Sequence, residues 1–123
     1  WLLGVATGKA RRGLDIVFEH HGLHKYFQTF QTVDGGPGKP HPRMVLDAMG
    51  ETGARPEQTV MIGDTSFDMT MAREAKAGAL GVTWGFHTPD EIRSGGAHTL
   101  HDDYACLNRA LDAVSDRLEG DAA

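Results

Sequence analysis

The sequence predicts an α/β fold in which a parallel sheet is flanked by helices. Three observations carry that prediction. Short apolar runs alternate with stretches whose apolar residues recur every three or four positions. Glycine and proline mark the boundaries between them. The stretch Val60-Met61-Ile62-Gly63-Asp64-Thr65-Ser66-Phe67-Asp68 has the form of a buried strand that ends in an acidic turn and runs straight into a helix. Sheets of this kind present ligands at the carboxyl ends of their strands.

Taken in order, Trp1 to Ala6 reads as a buried strand followed by Thr7-Gly8-Lys9. From Lys9 to His21, Leu14, Val17, Phe18 and position 21 keep the i, i+3, i+4, i+7 spacing of an amphipathic helix, and Gly22 stops it. Leu23, Tyr26 and Phe27 are expected to be buried in the connection, and Phe30 to Val33 to form a short strand. Asp34 to Pro42 carries too much glycine and proline for a helix or a central strand. Pro42 suits a first helical position, and Val45, Leu46 and Met49 form the inward stripe of a helix that ends at Gly53. Val60 to Ile62 is the next strand. The helix after it runs to about Ala77, with Met71, Ala72 and Ala75 inward and Gly78 as its cap. Ala79 to Trp84 is a further strand, with Trp84 and Phe86 expected in the core; the alternative is that Gly85-Phe86-His87 borders a substrate pocket. Thr88-Pro89-Asp90-Glu91 has the form of a capping box, so a short helix runs to about Ser94 and ends at Gly95-Gly96. Ala97 to Leu100 is a candidate edge strand. Tyr104, Leu107, Leu111, Val114 and Leu118 define a last helix, with Glu119 to Ala123 expected to fray.

A chain of 123 residues suffices for one domain with a core. Its net charge of −5 speaks against a nucleic-acid surface. The single cysteine, Cys106, cannot form an internal disulfide and points to a reducing, cytoplasmic setting, where it is expected to be an inert packing residue. No apolar run approaches the roughly 18 residues of a membrane-spanning helix, so no membrane partner is expected. The opening Trp1-Leu2-Leu3 is apolar from its first residue, which suggests a piece of a longer protein. His20 and His24 are separated by Gly22 and lack a third ligand, so no zinc site is expected, and His41 is read as packing in its loop, with substrate contact as the alternative.

Three strand ends gather the chemistry. Thr7, the loop carrying Lys39, and the Asp64–Asp68 turn all fall at the carboxyl ends of predicted strands, placing a hydroxyl, an ammonium and a carboxylate pair on one rim. A hydroxyl beside the free N–H groups of Gly8 and Lys9 suits a phosphate. A lysine on a glycine-rich loop can neutralise a phosphoryl oxygen or a neighbouring carboxylate. Two carboxylates on one turn can share Mg²⁺, a hard cation that takes oxygen ligands and keeps several waters. Each residue also has an ordinary reading: Thr7 as an N-cap, Lys39 as a solvated loop lysine, Asp68 as a charge that suits a helix N-terminus.

Ala6-Thr7-Gly8-Lys9, Gly38-Lys39-Pro40-His41-Pro42 and Gly63-Asp64-Thr65-Ser66-Phe67-Asp68 resemble the second, third and fourth motifs of the haloacid dehalogenase (HAD) superfamily. The order fits its phosphoglycolate phosphatase-like and β-phosphoglucomutase-like branch, and Gly78 to Phe86 resembles the segment after the fourth motif there. A receiver domain, which uses similar groups, would place its acids first and its lysine last. The resemblance implies a Rossmann-like core and Mg²⁺-dependent hydrolysis of a small phosphorylated metabolite through an aspartyl-phosphate. It implies that Thr7, with Gly8, binds the transferring phosphoryl group and that Lys39 balances charge there. It further implies that Asp64 is a direct Mg²⁺ ligand and that Asp68 supports the metal or its waters.

The family's first motif, Asp-x-Asp-Gly-Thr, which supplies the nucleophile, has no counterpart here: Asp102-Asp103 is late and Asp34-Gly35 lacks the partner acid. The chain therefore resembles one partial core domain, residues 1–123, without the cap that lies between the first two motifs. In the family the nucleophile strand is central, between the strands that here lead to Thr7 and Asp64. Its loss removes hydrogen bonds worth about 1 kcal/mol each and side chains worth roughly 1.5–3 kcal/mol each, comparable with a whole domain's stability of about 5–15 kcal/mol. Such a chain is expected to pair its two exposed strands, recruit another chain as an oligomer, or rely on an N-terminal segment to complete the sheet. Alone it is expected to be inactive. The alternative is a non-catalytic phosphate-binding or protein-interaction module on the same scaffold.

Overall fold

The structure, a computed structural model, describes residues 1–122. Five short strands alternate with five α-helices: β1 (Gly4–Ala6), α1 (Arg11–His21), β2 (Thr29–Gln31), α2 (Arg43–Thr52), β3 (Val60–Gly63), α3 (Ser66–Glu74), β4 (Gly78–Val82), α4 (Pro89–Gly95), β5 (Thr99–His101) and α5 (Tyr104–Ala122). All strand pairs are parallel, but they form two separate groups, β1–β2 and β3–β4–β5. The two inner strands, β1 and β3, do not pair. Between them lies a cleft of about 590 Å³, lined by Trp1 to Ala6 on one side and Gln58 to Ile62 on the other, and floored by Met44, Val45 and Met49. Of the ways the sequence left open for the exposed strands, direct pairing is not the one taken.

The two-residue period of the strands sorts the helices onto two faces. Met61 and Ala79 join the larger core, in which Met44, Val45 and Met49 of α2 meet Met69, Met71 and Ala72 of α3 and Ile92 of α4. Val60, Leu80 and Val82 point the other way, against Leu107 and Leu111 of α5. In β2, Thr29 and Gln31 reach Glu51 on α2, while Phe30 lies against Phe18 of α1 and Phe27.

Several expectations need correction. Strand pairing begins at Gly4, leaving Trp1, Leu2 and Leu3 at least 46% exposed, because nothing covers their cleft side. α1 starts at Arg11, two residues late, and buries Leu14 and Phe18 while Val17 faces out. Tyr26 is exposed and Leu23 only half-buried, because residues 24–26 form a 3-10 turn at the surface. Val33 leaves β2 for a second such turn. Met44 takes the core position expected of Leu46, which is exposed. Gly78 is not a cap. Lys76, with φ 65°, turns the chain after α3, and Gly78 opens β4 where a Cβ would stand 2.9 Å from Val60 Cγ1. Trp84 and Phe86 are exposed rather than core, since β4 ends at Val82. β5 runs from Thr99 rather than Ala97. Helix α5 continues to Ala122, past the predicted fraying at Glu119; position 123 lies outside the described residues. The Thr88 capping box and the stops at Gly22, Gly53 and Gly96 form as read. No helix among the described residues is long and apolar enough to cross a membrane.

Candidate active site at the strand ends

The Asp64–Asp68 turn is built by close approach. Gly63 ends β3 directly against Asp68: a Cβ on Gly63 would stand 2.4 Å from Asp68 Cβ. Thr65 caps α3, its hydroxyl accepting from Asp68 N–H at 3.2 Å. In return Asp68 Oδ2 accepts from Thr65 N–H at 3.2 Å and from the Thr65 hydroxyl at 2.9 Å. Asp68 is thereby buried, at 2% exposure, with its other oxygen aimed out of the capping box. That oxygen, Oδ1, has no aligned hydrogen-bond donor, yet Lys39 Nζ lies 2.5 Å from it. Proximity of an ammonium rather than bond direction therefore satisfies it, as suits a compact cation with three rotatable donors.

Asp64 is held from the opposite side. Its Oδ2 accepts from Phe86 N–H at 3.0 Å, and its carbonyl accepts from His87 N–H at 3.0 Å. The His87 ring reaches α3, where Nδ1 accepts from Ser66 N–H at 2.9 Å, so this nitrogen carries no proton. Gly85 is required here: a Cβ would sit 2.2 Å from Asp64 Cβ. The loop after β4 thus grips the acidic turn through three hydrogen bonds.

Thr7 stands on the β1 side of the cleft. Its N–H donates to Gln31 carbonyl at 3.0 Å, and its hydroxyl accepts from Lys9 N–H at 3.1 Å. The space beside Gly8 is open, with nothing within 4 Å of where a Cβ would be. Of the predicted residues, the structure brings Lys39 and Asp68 into direct contact and sets Asp64 on the same turn. Thr7 and Gly8 are joined to them by no hydrogen bond among the described residues.

Hard oxygen donors at this turn fit Mg²⁺ in part. Asp64 keeps an oxygen with no hydrogen bond among the described residues, and Asp68 is committed to Thr65 and Lys39. No cluster of three or more metal-binding side chains occurs among the described residues. The arrangement is one wall of a cation site rather than a cage.

The model of the haloacid dehalogenase-like hydrolase family matches residues 1–82. The chain belongs to that family. It is 38% identical over 93% of its length to a probable phosphatase, IndB, from Dickeya dadantii, covering 50% of that protein. It is 33% identical over 83% of its length to the pyrophosphatase PpaX of Oceanobacillus iheyensis, covering 46% of it. Among solved structures, a HAD-family hydrolase from Deinococcus radiodurans with bound phosphate and sodium superposes with a TM-score of 0.78 at 25% identity, covering 93% of this chain and 52% of that one. The chain therefore spans about half the length of the curated relatives it matches. The HAD phosphatase resemblance and the Rossmann-like parallel architecture read from the sequence both hold.

Sequence reasoning did not foresee that Phe86 and His87 hold Asp64 in place. Their contacts to Asp64 left no signal in the sequence, because they use backbone N–H groups that every residue has; only the His87 ring, accepting from Ser66 N–H, depends on residue type. Cys106 is also less isolated than expected. Its Sγ lies 3.1 Å from Nδ1 of buried His101, a neighbour brought in from β5.

Proposed function

We propose that this chain is part of a Mg²⁺-dependent phosphatase acting on a small phosphorylated metabolite in the cytoplasm. The observation that carries the reading is the Lys39–Asp68 pair, which joins the third and fourth motif loops beside the Asp64 carboxylate. In this reading Thr7 and the N–H groups around Gly8 hold the phosphoryl oxygens. Lys39 offsets negative charge as the transferring group approaches, and Asp68 holds the ammonium in place. Asp64 would hold Mg²⁺ with Asp68 in support, and the ion would neutralise developing phosphoryl charge.

The acid that attacks phosphorus belongs to a strand this chain does not contain. Its carboxylate oxygen would form the P–O bond as the substrate alkoxide leaves, taking its proton from the second aspartate of the same Asp-x-Asp-Gly-Thr motif. Water would then hydrolyse the aspartyl-phosphate, two easier steps in place of one. Residues 1–123 are read as a portion of the core domain, with cap and nucleophile strand supplied by the rest of the parent or by another chain. The cleft between β1 and β3 supports this reading, since two unpaired strand edges face it across apolar walls.

The test is phosphate release from an aryl phosphate with Mg²⁺. The chain alone is expected to give no turnover. Adding a peptide with an Asp-x-Asp-Gly-Thr strand is expected to give turnover that Asp64→Asn abolishes. Turnover by the chain alone that Asp64→Asn removes would require a different acid. A peptide that binds without any turnover would favour a non-catalytic module.

A further inference from the structure

We propose that Arg43 is a positioning residue of this site, aiming Lys39 at Asp68 by tying the preceding loop to the start of α2. The inference deepens the reading of Lys39 given above and rests on it. Arg43 is the first residue of α2, and its side chain turns back over the loop, with only 11% exposed. Nη2 donates to Thr32 carbonyl at 2.6 Å and to Gly36 carbonyl at 3.3 Å, and Nε donates to Pro37 carbonyl at 3.1 Å. Asp47, one turn along α2, stands 3.5 Å from Nη1 and balances the charge.

The loop is shaped around this fork. A Cβ on Gly35 would stand 2.6 Å from Nη1, and one on Gly36 3.3 Å from Nε. The far side of the loop is fixed to the phosphate cradle. Asp34 Oδ2 accepts from Arg11 N–H at 2.7 Å, and Val33 N–H donates to Lys9 carbonyl at 3.3 Å. Arg43 therefore closes a span that starts beside Thr7–Lys9 and ends two residues before Lys39. A planar guanidinium can bond three carbonyls at once, which a lysine ammonium on a flexible stem does not reproduce.

The experiment is competitive acylation of the lysines in the 123-residue chain, read by mass spectrometry, with exposed Lys25 and Lys76 as internal references. Wild-type Lys39 is expected to react about tenfold more slowly than the references, the protection of its close ion pair with the buried Asp68 carboxylate. Arg43→Gln is expected to bring its rate to within about twofold of them. Arg43→Lys should act in the same direction, whereas a role resting on charge alone would be rescued by it. Gly35→Ala, which crowds the guanidinium but leaves it present, keeps the test open if Arg43→Gln does not fold, and it too should release Lys39. Asp68→Asn removes the partner directly and must also release Lys39. Unchanged protection in folded Arg43→Gln or in Gly35→Ala, full rescue by Arg43→Lys, or a wild-type Lys39 as reactive as the references would each overturn the proposal. A separate arm adds inorganic phosphate with Mg²⁺ to the wild type complemented with the Asp-x-Asp-Gly-Thr peptide. Failure of phosphate to slow Lys39 further would count against the phosphoryl reading, while the Arg43 outcome stands on its own.

Discussion

The two strand groups that face each other across the cleft are built differently. β3–β4–β5 is packed on both faces, with fully buried Met69, Met71 and Ile92 beneath it and Leu107 above. β1–β2 buries polar side chains instead: Thr29 and Gln31 are at most 5% exposed and are satisfied through each other and Glu51. Its other face rests on a small ring cluster of Phe18, Phe27 and Phe30. The group that carries Asp64 and Asp68 can hold its shape by apolar packing. The group that leads to Thr7 depends on hydrogen bonds and on α2, which touches β1, β2 and α3 alike. A site assembled from both groups inherits this asymmetry: the Asp64–Asp68 turn rests on packed apolar layers, and Thr7 on the hydrogen-bonded pair of strands.

The largest expected effect separates α2 from α3. Met44 and Met71 are both fully buried, and truncating either to alanine should cost about 2–5 kcal/mol. The distribution should differ. Met44→Ala loosens the helix that spans the cleft, so hydrogen exchange should rise in β1 and β2 as well as in α2. Met71→Ala should leave β1 and β2 comparatively unaffected. Equal exchange profiles for the two variants would show that the halves unfold as one unit and that the asymmetry has no energetic content.

The next effect sharpens how the halves are joined at the rim. Lys39→Met strands the buried Asp68 carboxylate, whose Oδ1 has no other donor, at a cost of about 1–3 kcal/mol. Asp68→Asn should cost a similar amount, and the double variant much less than the sum, because the two residues share one interaction. Urea melts of the four proteins measure the coupling. Additive losses would mean that the pair contributes nothing to holding the Lys39 loop on β3.

A third effect concerns Asp64 alone. Gly85→Ala would place a methyl group 2.2 Å from Asp64 Cβ, a clash that only a backbone shift relieves, and so displace its carboxylate. Support of this kind is typically worth about 10–100-fold in metal affinity. Titrating Mg²⁺ into the strand-complemented protein should show that loss. Unaltered affinity would remove the post-β4 loop from the site.

The contrast also explains what the sequence disclosed. Residues whose burial follows a period were legible: Leu14 and Phe18, Val45 and Met49, and Met71 and Ala72 were all read as inward and are buried. The motifs carrying Lys39, Asp64 and Asp68 were singled out by resemblance, and the structure brings Lys39 onto Asp68. What escaped depended on contacts between distant segments. Trp84 and Phe86 look like core by type, yet the strand ends before them and their loop is used for its N–H groups. Thr29, Gln31 and Thr32 are polar and buried, the reverse of the usual rule, because Glu51 and Arg43 arrive from α2 to bond the first pair and the Thr32 carbonyl. The open cleft was legible only through the absent first motif, since nothing in β1 or β3 themselves announces a missing neighbour.

The smallest expected effect is a difference in how the halves respond to acid. In the three-stranded half, partial burial and the adjacent Arg73 guanidinium hold the His98 imidazole below its usual value of 6.5. The unfolded chain therefore takes up that proton first, and His98 contributes stability that is lost as pH falls through about 6.5 and levels off below the folded value. In the two-stranded half, the His24 ring and then Arg11 hold the Asp15 carboxyl below 3.8. Here the unfolded chain again binds the proton first, but only as pH drops through about 4, so the loss comes later. Both groups are solvated, and each contribution should be a small fraction of the Met71→Ala loss. Urea midpoints measured across pH should flatten between about pH 7 and 5 in His98→Gln, and below about pH 4 in Asp15→Asn. Should His98→Gln leave the upper window unchanged, the link from β4 to β5 through Ala79 N–H and His98 would carry no proton-linked stability. The two halves would then differ in packing but not in titration.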